Sequence, residues 1–273
     1  MTDTNLTEVQ ALREAYSTDP RQSSFNILVL GEMGSGKTFL FRTARFPVHI
    51  DSFDPGGTKG LKEWISTGDI VVDSQYESED RMKPWAFAKW EANFERRVKS
   101  GYFDQFGTYL IDSASSFSDA IMNSILKKSN IAGSPPRYTK DYTPQKTLIH
   151  NYLRLMLDLP CDFAMTGHLE PYTSGEETMF RFLVTGKGAI IFPTLFDEVY
   201  IMLPKTIGQK TAYRLLTQNT GTYLARSRLA ANGKLDMYED PDIKNLLKKA
   251  GLSTDDKPKL GMAPPAVQEP KGA

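Results

Sequence analysis

Short apolar runs alternate with amphipathic stretches along most of the chain. Five runs, FNILVLG (25–31), FPVHID (46–51), DIVVDSQ (69–75), GTYLIDS (107–113) and CDFAMTG (161–167), are too short for helices and are bounded by turn residues, as strands are. Between them, Thr38–Ala44, Pro84–Lys99, Phe117–Lys128 and Pro144–Leu159 read as helices. In the second of these, Trp85, Phe87, Trp90 and Phe94 recur at mostly helical spacing behind a first-turn proline, which marks them as core rather than as a stacking platform. Strands apolar on both faces that alternate with helices predict a parallel sheet covered on two sides. From about residue 178 the pattern changes to TMFRFLVTG, FDEVYIML, TAYRLLT and GTYLARS, read as mostly antiparallel strands or hairpins. The expected architecture is α/β, a mainly parallel sheet flanked by helices with a C-terminal antiparallel β extension.

The ends differ from this body, which spans 25–250. Residues 1–24 are polar, with one short helix expected around Thr7–Tyr16 and a break at Pro20. Residues 251–273 hold four prolines and almost nothing apolar to bury, and read as a disordered tail. A composition of 40% hydrophobic and 24% charged residues excludes collagen, coiled-coil rods and wholesale disorder. The 33 Lys and Arg balance the 33 Asp and Glu, so any polyanion must be gripped by a local patch. A single cysteine, Cys161, excludes a disulfide framework and a cysteine zinc cluster, and fits a reducing compartment. His49 and His150 lie among apolar residues with no partner at metal spacing, and read as packing or surface residues. No stretch approaches the roughly 18 apolar residues of a membrane span. The expectation is a soluble cytoplasmic protein with no membrane partner.

The chemistry begins at Gly31-Glu32-Met33-Gly34-Ser35-Gly36-Lys37-Thr38, a full match to G-x-x-x-x-G-K-[ST] between a strand-like run and a helix. Glycines let successive backbone N–H groups curl around phosphate oxygens. Lys37 brings a cation to the β- and γ-phosphates, and Thr38 offers its hydroxyl to Mg²⁺. ATP and Mg²⁺ are the expected cofactors.

Acidic partners follow in order. Asp112 ends the strand Thr108-Tyr-Leu-Ile-Asp112 and can hold Mg²⁺ through a water. Ser113 stands next to it, where many ATPase motors place a water-activating Glu, so the base must be found elsewhere. Asp51 and Asp54, in Asp51-Ser-Phe-Asp54-Pro-Gly-Gly, are the candidates, against the competing reading of Asp-Pro-Gly as a turn. Glu32 and Glu63 are more distant choices. His168, at the tip Met165-Thr166-Gly167-His168, is either a γ-phosphate sensor or a local turn residue.

In their order these stations resemble the RecA-type recombinase core. Leu110-Ile111-Asp112-Ser113-Ala114 is similar to that family's hydrophobic-Asp-Ser signature. Within it, the chain resembles the small phage-encoded RecA-like nucleotide-binding proteins associated with single-strand annealing and recombination. Those share a TGH tip, a later Gly-Lys segment (Gly186-Lys187-Gly188), a Phe-Asp pair (Phe196-Asp197) and a basic-x-basic strand end. The resemblance spans roughly residues 25–245. It implies a RecA-like P-loop ATPase that forms a homo-oligomer with ATP at the subunit interface. It also implies that Arg226 and Arg228 reach a neighbour's γ-phosphate. Single-stranded DNA would lie on the loops after Asp112 and His168, and phage recombination or replication proteins would be partners. In the first loop Lys127, Lys128, Arg137, Tyr138 and Lys140 suit a backbone groove with a stacking ring. The second, Glu170–Lys187, reads more as a hairpin than as a basic clamp.

Two other classes share the phosphate loop. A nucleotide or small-molecule kinase needs an arginine-bearing lid, for which the chain offers only Arg42, Arg45, Arg96 and Arg97. A non-catalytic nucleotide-gated adaptor in DNA loading or packaging would fit the absence of Glu after Asp112.

Overall fold

The computed structural model describes residues 3–19, 22–184, 188–208, 210–229 and 233–261. The five apolar runs become β1 (Ile27–Gly31), β2 (Val48–Ser52), β3 (Ile70–Asp73), β4 (Thr108–Asp112) and β5 (Asp162–Ser174). The later strands are β6 (Glu177–Phe182), β7 (Glu198–Ile207), β8 (Lys210–Leu216), β9 (Arg226–Ser227) and β10 (Tyr238–Glu239). The helices are α1 (Asp3–Ser17), α2 (Lys37–Leu40), α3 (Lys62–Ser66), α4 (Ala86–Lys99), α5 (Ala114–Lys128), α6 (Tyr142–Leu157), α7 (Gly188–Ile191) and α8 (Ile243–Ala250). None of the helices is long and apolar enough to cross a membrane, among the described residues.

The sheet runs β10-β8-β7-β1-β5-β4-β2-β3, and the stretch from β7 to β3 is parallel throughout. Alternation along β1 shows why both faces are covered. Leu28 and Leu30 join Trp90, Phe117 and Leu153 from α4, α5 and α6 on one face. Ile27 and Val29 join Leu40, Phe41, Leu246 and Leu247 from α2, its following turn and α8 on the other. Phe87, Trp90 and Phe94 are buried, as their spacing implied.

The structure departs from the sequence reading in four places. The helix after the phosphate loop is only Lys37–Leu40 with a 3₁₀ turn, Phe41–Thr43, because Pro47 disfavours helix in the residue before it and the chain must turn into β2. The run at 196–203 is not part of an antiparallel extension alone. As β7 it pairs in parallel with β1, Ile27 opposite Glu198 and Gly31 opposite Met202, before turning into the antiparallel hairpin with β8. β5 continues seven residues beyond the run that ends at Gly167, and there forms with β6 the hairpin expected in the segment from Glu170, with Gly175 at the turn in a left-handed conformation.

The fourth departure is the tail. Residues 253–261 lie against the body: Lys257 N–H donates to Phe46 O over 2.8 Å and Phe46 N–H to Asp256 Oδ1 over 2.7 Å. Lys257 Nζ reaches Asp104 O and Pro160 O, and Lys259 pairs with Asp69 at 3.0 Å. Apolar content alone is a poor guide here, because main-chain and charged hydrogen bonds carry the attachment. The expected break at Pro20, residues 186 and 187 of the Gly-Lys segment and residues 262–273 lie outside the described residues.

Candidate nucleotide-binding site

Parallel registry brings the carboxyl ends of β1, β4 and β2 to one edge, beside the middle of β5. Gly31 is opposite His168, Ile111 opposite Met165 and Ser52 opposite Asp112. β5 lies between the strand that leads into the phosphate loop and the strand that ends in Asp112. Such an edge is where open α/β sheets bind ligands.

Gly34 and Gly36 adopt φ of 74° and 86°, the left-handed region that lets the loop wrap. Nothing lies within 4 Å of where a Cβ on Gly34 would be, so the loop has an open side. Ser35 Oγ is buried and has no hydrogen-bond partner among the described residues. Lys37 is 7% exposed and its Nζ donates to Gly31 O and Glu32 O at 3.0 and 2.8 Å, arching over the loop's own carbonyls. Burial pulls its pKa down, opposed by Asp112, Asp54 and Glu32. A partly desolvated ammonium, a free hydroxyl and an open glycine cradle fit a polyphosphate tail.

Thr38 Oγ1 donates to Asp112 Oδ2 over 2.9 Å, and Thr166 Oγ1 donates to Asp112 Oδ1. Burial pushes the Asp112 carboxyl up and Asp54 adds to the rise, while the two threonine hydroxyls and Lys37 pull it down. No cluster of three or more His, Cys, Asp or Glu is arranged to hold a metal by itself, among the described residues. The Thr38 hydroxyl and the Asp112 carboxylate, adjacent oxygens beneath the phosphate loop, fit Mg²⁺, which takes few protein ligands and fills its shell with water and substrate phosphates.

The two acidic candidates separate sharply. Asp54 lies beside this edge: its backbone N–H donates to Asp112 O over 3.3 Å, and Ser116 Oγ donates to its carboxylate. His168 Nε2 is 3.5 Å from Asp54 Oδ2. Burial would raise the Asp54 carboxyl, but hydrogen bonds from His168, Ser116 and Ser113 outweigh it and hold the pKa below the usual value. A carboxylate kept ionised beside the phosphate loop can orient and deprotonate water.

Asp51 is a correction. It is fully buried on the opposite side of β2, where its carboxylate accepts from Trp90 Nε1 at 2.9 Å, Tyr109 OH at 2.7 Å and Arg97 Nη1 at 2.9 Å, with His49 Nε2 at 3.0 Å. β2 ends at Ser52, and the turn that follows carries Asp54 to the end of the strand beside Asp112, while Asp51 stays within the strand and points into the core. Asp51 stabilises the core and has no access to a water at the loop. Glu63 is exposed on α3, and the Glu32 side chain is exposed.

Arg226 and Arg228 do not complete this chain's own site. Val199 is opposite Arg226, which places β9 at the amino end of β1, away from Gly31. Arg226 Nη2 is held by the carbonyls of Pro193, Thr194 and Phe196, and Arg228 Nη1 by Asp197 at 2.7 Å. The expected nucleic-acid loop is also depleted of free cations. Lys127 Nζ donates to Pro84 O over 2.9 Å, and Asp141, just beyond the segment read as acid-free, grips Arg137 in a bidentate pair at 3.0 and 2.8 Å. The side chains of Lys127, Lys128, Arg137, Tyr138 and Lys140 are all exposed, Tyr138 at 87%, with Lys127 and Arg137 tied to these partners. This loop follows the far end of α5, about 22 Å along the helix axis from Ser113.

Sequence reading missed three side chains that contribute, Thr166, Glu77 and Ser116. Thr166 had a signal, since it lies in the same strand tip as His168. Glu77 had none: it accepts from Ser52 Oγ at 2.7 Å and Gly56 N–H at 3.0 Å, fixing the turn that carries Asp54. Gly57 is needed in that turn because a Cβ would stand 3.2 Å from Asp112 Oδ2. Ser116, one helical turn into α5, is the third.

A family model described as an AAA domain matches residues 23–229, well over half of the chain. The chain belongs to the AAA domain family. A comparison with curated proteins gave no match. Among solved structures, this AAA domain is similar to a KaiC-like protein from the hyperthermophilic archaeon Pyrococcus horikoshii, with TM-score 0.42 and 12% identity over 70% of this chain and 78% of that chain. It is also similar to the flagellar accessory protein FlaH from Methanocaldococcus jannaschii, with TM-score 0.35 and 13% identity over 70% and 76%. At these scores neither likeness bears on the chemistry. The AAA domain here has a P-loop core built on the parallel strands β7-β1-β5-β4-β2-β3, with the antiparallel β8 and β10 added beside β7.

Proposed function

We propose that this AAA-domain protein binds ATP with Mg²⁺ and hydrolyses it, with single-stranded DNA as its effector in recombination, annealing or replication. The observation that carries the ATPase reading is the Thr38–Asp112 hydrogen bond beneath the phosphate loop, with the Asp54–His168 pair alongside. Lys37 and the loop amides would hold the phosphates, and Thr38 and Asp112 the metal, which supplies charge neutralisation at the phosphate oxygens. Asp54 accepts the proton of the attacking water. His168 holds Asp54 in place and is positioned to respond to the loss of the terminal phosphate.

A phosphate-transfer lid has little support. Arg45 pairs with Asp162, Arg97 is buried on Asp51 and Asp73, and Arg42 lies over the Phe39 ring. The DNA part rests on the resemblance to recombinases and on the exposed Lys128, Tyr138 and Lys140. Phage origin, a homo-oligomer and a trans role for Arg226 and Arg228 rest on that resemblance alone. For Arg226 and Arg228 the intrachain contacts would have to be exchanged on assembly.

The test is ATP binding and phosphate release by the full chain, with and without single-stranded DNA across salt concentration. Wild type is expected to release phosphate, and Lys37→Ala to lose ATP binding. DNA stimulation should fall steeply as salt rises. Intact ATP binding by Lys37→Ala would overturn the nucleotide reading. Tight binding without turnover would favour a nucleotide-gated adaptor.

A further inference from the structure

We propose that Tyr213, on the C-terminal hairpin, is a positioning residue that latches the phosphate loop in its anion-binding shape. The proposal rests on the nucleotide reading above and deepens it by adding a contact from outside the loop and its helix. Parallel pairing of β7 with β1 brings Met202 beside Gly31, and β7 then runs five residues further before the chain turns back as β8. In that hairpin Tyr213 is opposite Pro204, past the level of Gly31. Its hydroxyl donates to Gly34 O over 3.0 Å, and its Cδ2 lies 3.8 Å from where a Cβ on Gly36 would be. Lys37 at the head of α2 holds Glu32 O from below the loop; among the described residues, the Tyr213 bond is the one that ties residues 32–35 to an element other than the loop's own helix.

Two physical arguments turn that contact into a function. A trans peptide keeps its C=O and the next N–H on opposite sides. Anchoring Gly34 O toward Tyr213 therefore fixes which way the Ser35 N–H faces, and in this structure that N–H makes only a 3.3 Å contact to Glu32 O. The loop also contains two left-handed glycines, the residue type that loses most freedom when ordered. A latch that orders the loop beforehand lowers the entropy lost when an anion binds. The ring covers Gly36 from the same side, so hydroxyl and ring act on neighbouring loop residues.

The effect should appear on the phosphate tail and not on the nucleoside. The experiment measures binding of MgATP and of inorganic tripolyphosphate by titration calorimetry, on full-length wild type, Tyr213→Phe and Tyr213→Leu. Each protein's ligand-free unfolding midpoint is recorded. Tyr213→Phe, which loses only the hydroxyl, is expected to bind both ligands about threefold to tenfold more weakly, with ligand-free stability lowered by no more than one hydrogen bond's worth. Tyr213→Leu should weaken both further. Wild-type binding of both ligands by Tyr213→Phe overturns the proposal. So does a loss for ATP that tripolyphosphate does not share, which would move the effect to the nucleoside. A loss of ligand-free stability well beyond one hydrogen bond in Tyr213→Phe would likewise overturn it, in favour of a purely structural role. Lys37→Ala, run alongside, tests the site itself: if it binds both ligands like wild type, or wild type binds neither, the nucleotide reading falls and takes the latch with it.

Discussion

Thr38 Oγ1 donates to Asp112 Oδ2 across 2.9 Å, joining the end of the phosphate loop to the tip of a strand two places away in the sheet. Both are oxygen ligands suited to one small divalent ion, and Asp112 is held from its other oxygen by Thr166. Asp112→Asn keeps the size of the side chain and removes the charge. It should raise the Mg²⁺ concentration needed for half-maximal phosphate release by about 10–100-fold, the usual cost of losing a group that holds a metal through water. A Mg²⁺ titration at saturating ATP checks this. An unchanged midpoint would remove Asp112 from the metal site.

Asp51 and Asp54 are three residues apart and should behave oppositely when neutralised. Asp54→Asn should lower kcat about 10²–10⁴-fold, the range of general base catalysis, with the unfolding midpoint near wild type. Asp51→Asn leaves Arg97 buried without one of its carboxylates and should cost about 3–5 kcal/mol of stability. Its kcat per folded molecule should stay close to wild type. Phosphate release and chemical unfolding on both variants separate the two roles, and a kcat loss confined to Asp51→Asn would reverse the assignment.

Glu77 tests whether the Asp54 turn must be held rigid. Glu77→Ala removes acceptors for Ser52 Oγ and Gly56 N–H, which lie on either side of Asp54. A small misplacement of a reacting group can cost on the order of 10²-fold, so kcat should fall while ATP affinity stays near wild type. Steady-state kinetics with a separate ATP-binding measurement decides it. Parallel losses in both would point to general disruption.

Local signals made the phosphate loop, the five strand runs and Asp112 legible, because each is a contiguous pattern with its own backbone requirement. His168 was legible as a polar residue at the end of the apolar run, although β5 continues past it to Ser174, and its contact with Asp54 depends on β5 and β2 being brought to one edge by β4. The choice between Asp51 and Asp54 was hidden, because it turns on where β2 ends: Asp51 is inside the strand and buried in the core, and Asp54 is in the turn beyond it. Asp141, one residue beyond the expected basic loop, neutralises Arg137, so a count of charges within the segment overstated its cation content. Tyr213 and Glu77 meet the site only through long-range pairing, which no window of sequence shows.

Asp162 gives a pH prediction whose sign follows from its surroundings. It starts β5 in a buried position, where Oδ1 accepts from Phe25 N–H and Arg45, and Oδ2 has no partner among the described residues. Burial pushes its carboxyl up to about 6, against the pull of Arg45, the Phe25 N–H and Lys257. In the unfolded chain an aspartate titrates near 3.9. Between those values the folded protein holds a proton that the unfolded chain has released, so this contribution is complete below about pH 4 and is lost as pH rises through about 6. Asp162→Asn cannot titrate. The stability of wild type minus that of Asp162→Asn should therefore fall between pH 4 and pH 7, by up to about 3 kcal/mol at 1.36 kcal/mol per pKa unit. Denaturant unfolding of both proteins across that window measures it. A difference that stays flat, or rises with pH, would mean that Asp162 is ionised in the folded state throughout, with Arg45 compensating its burial in full.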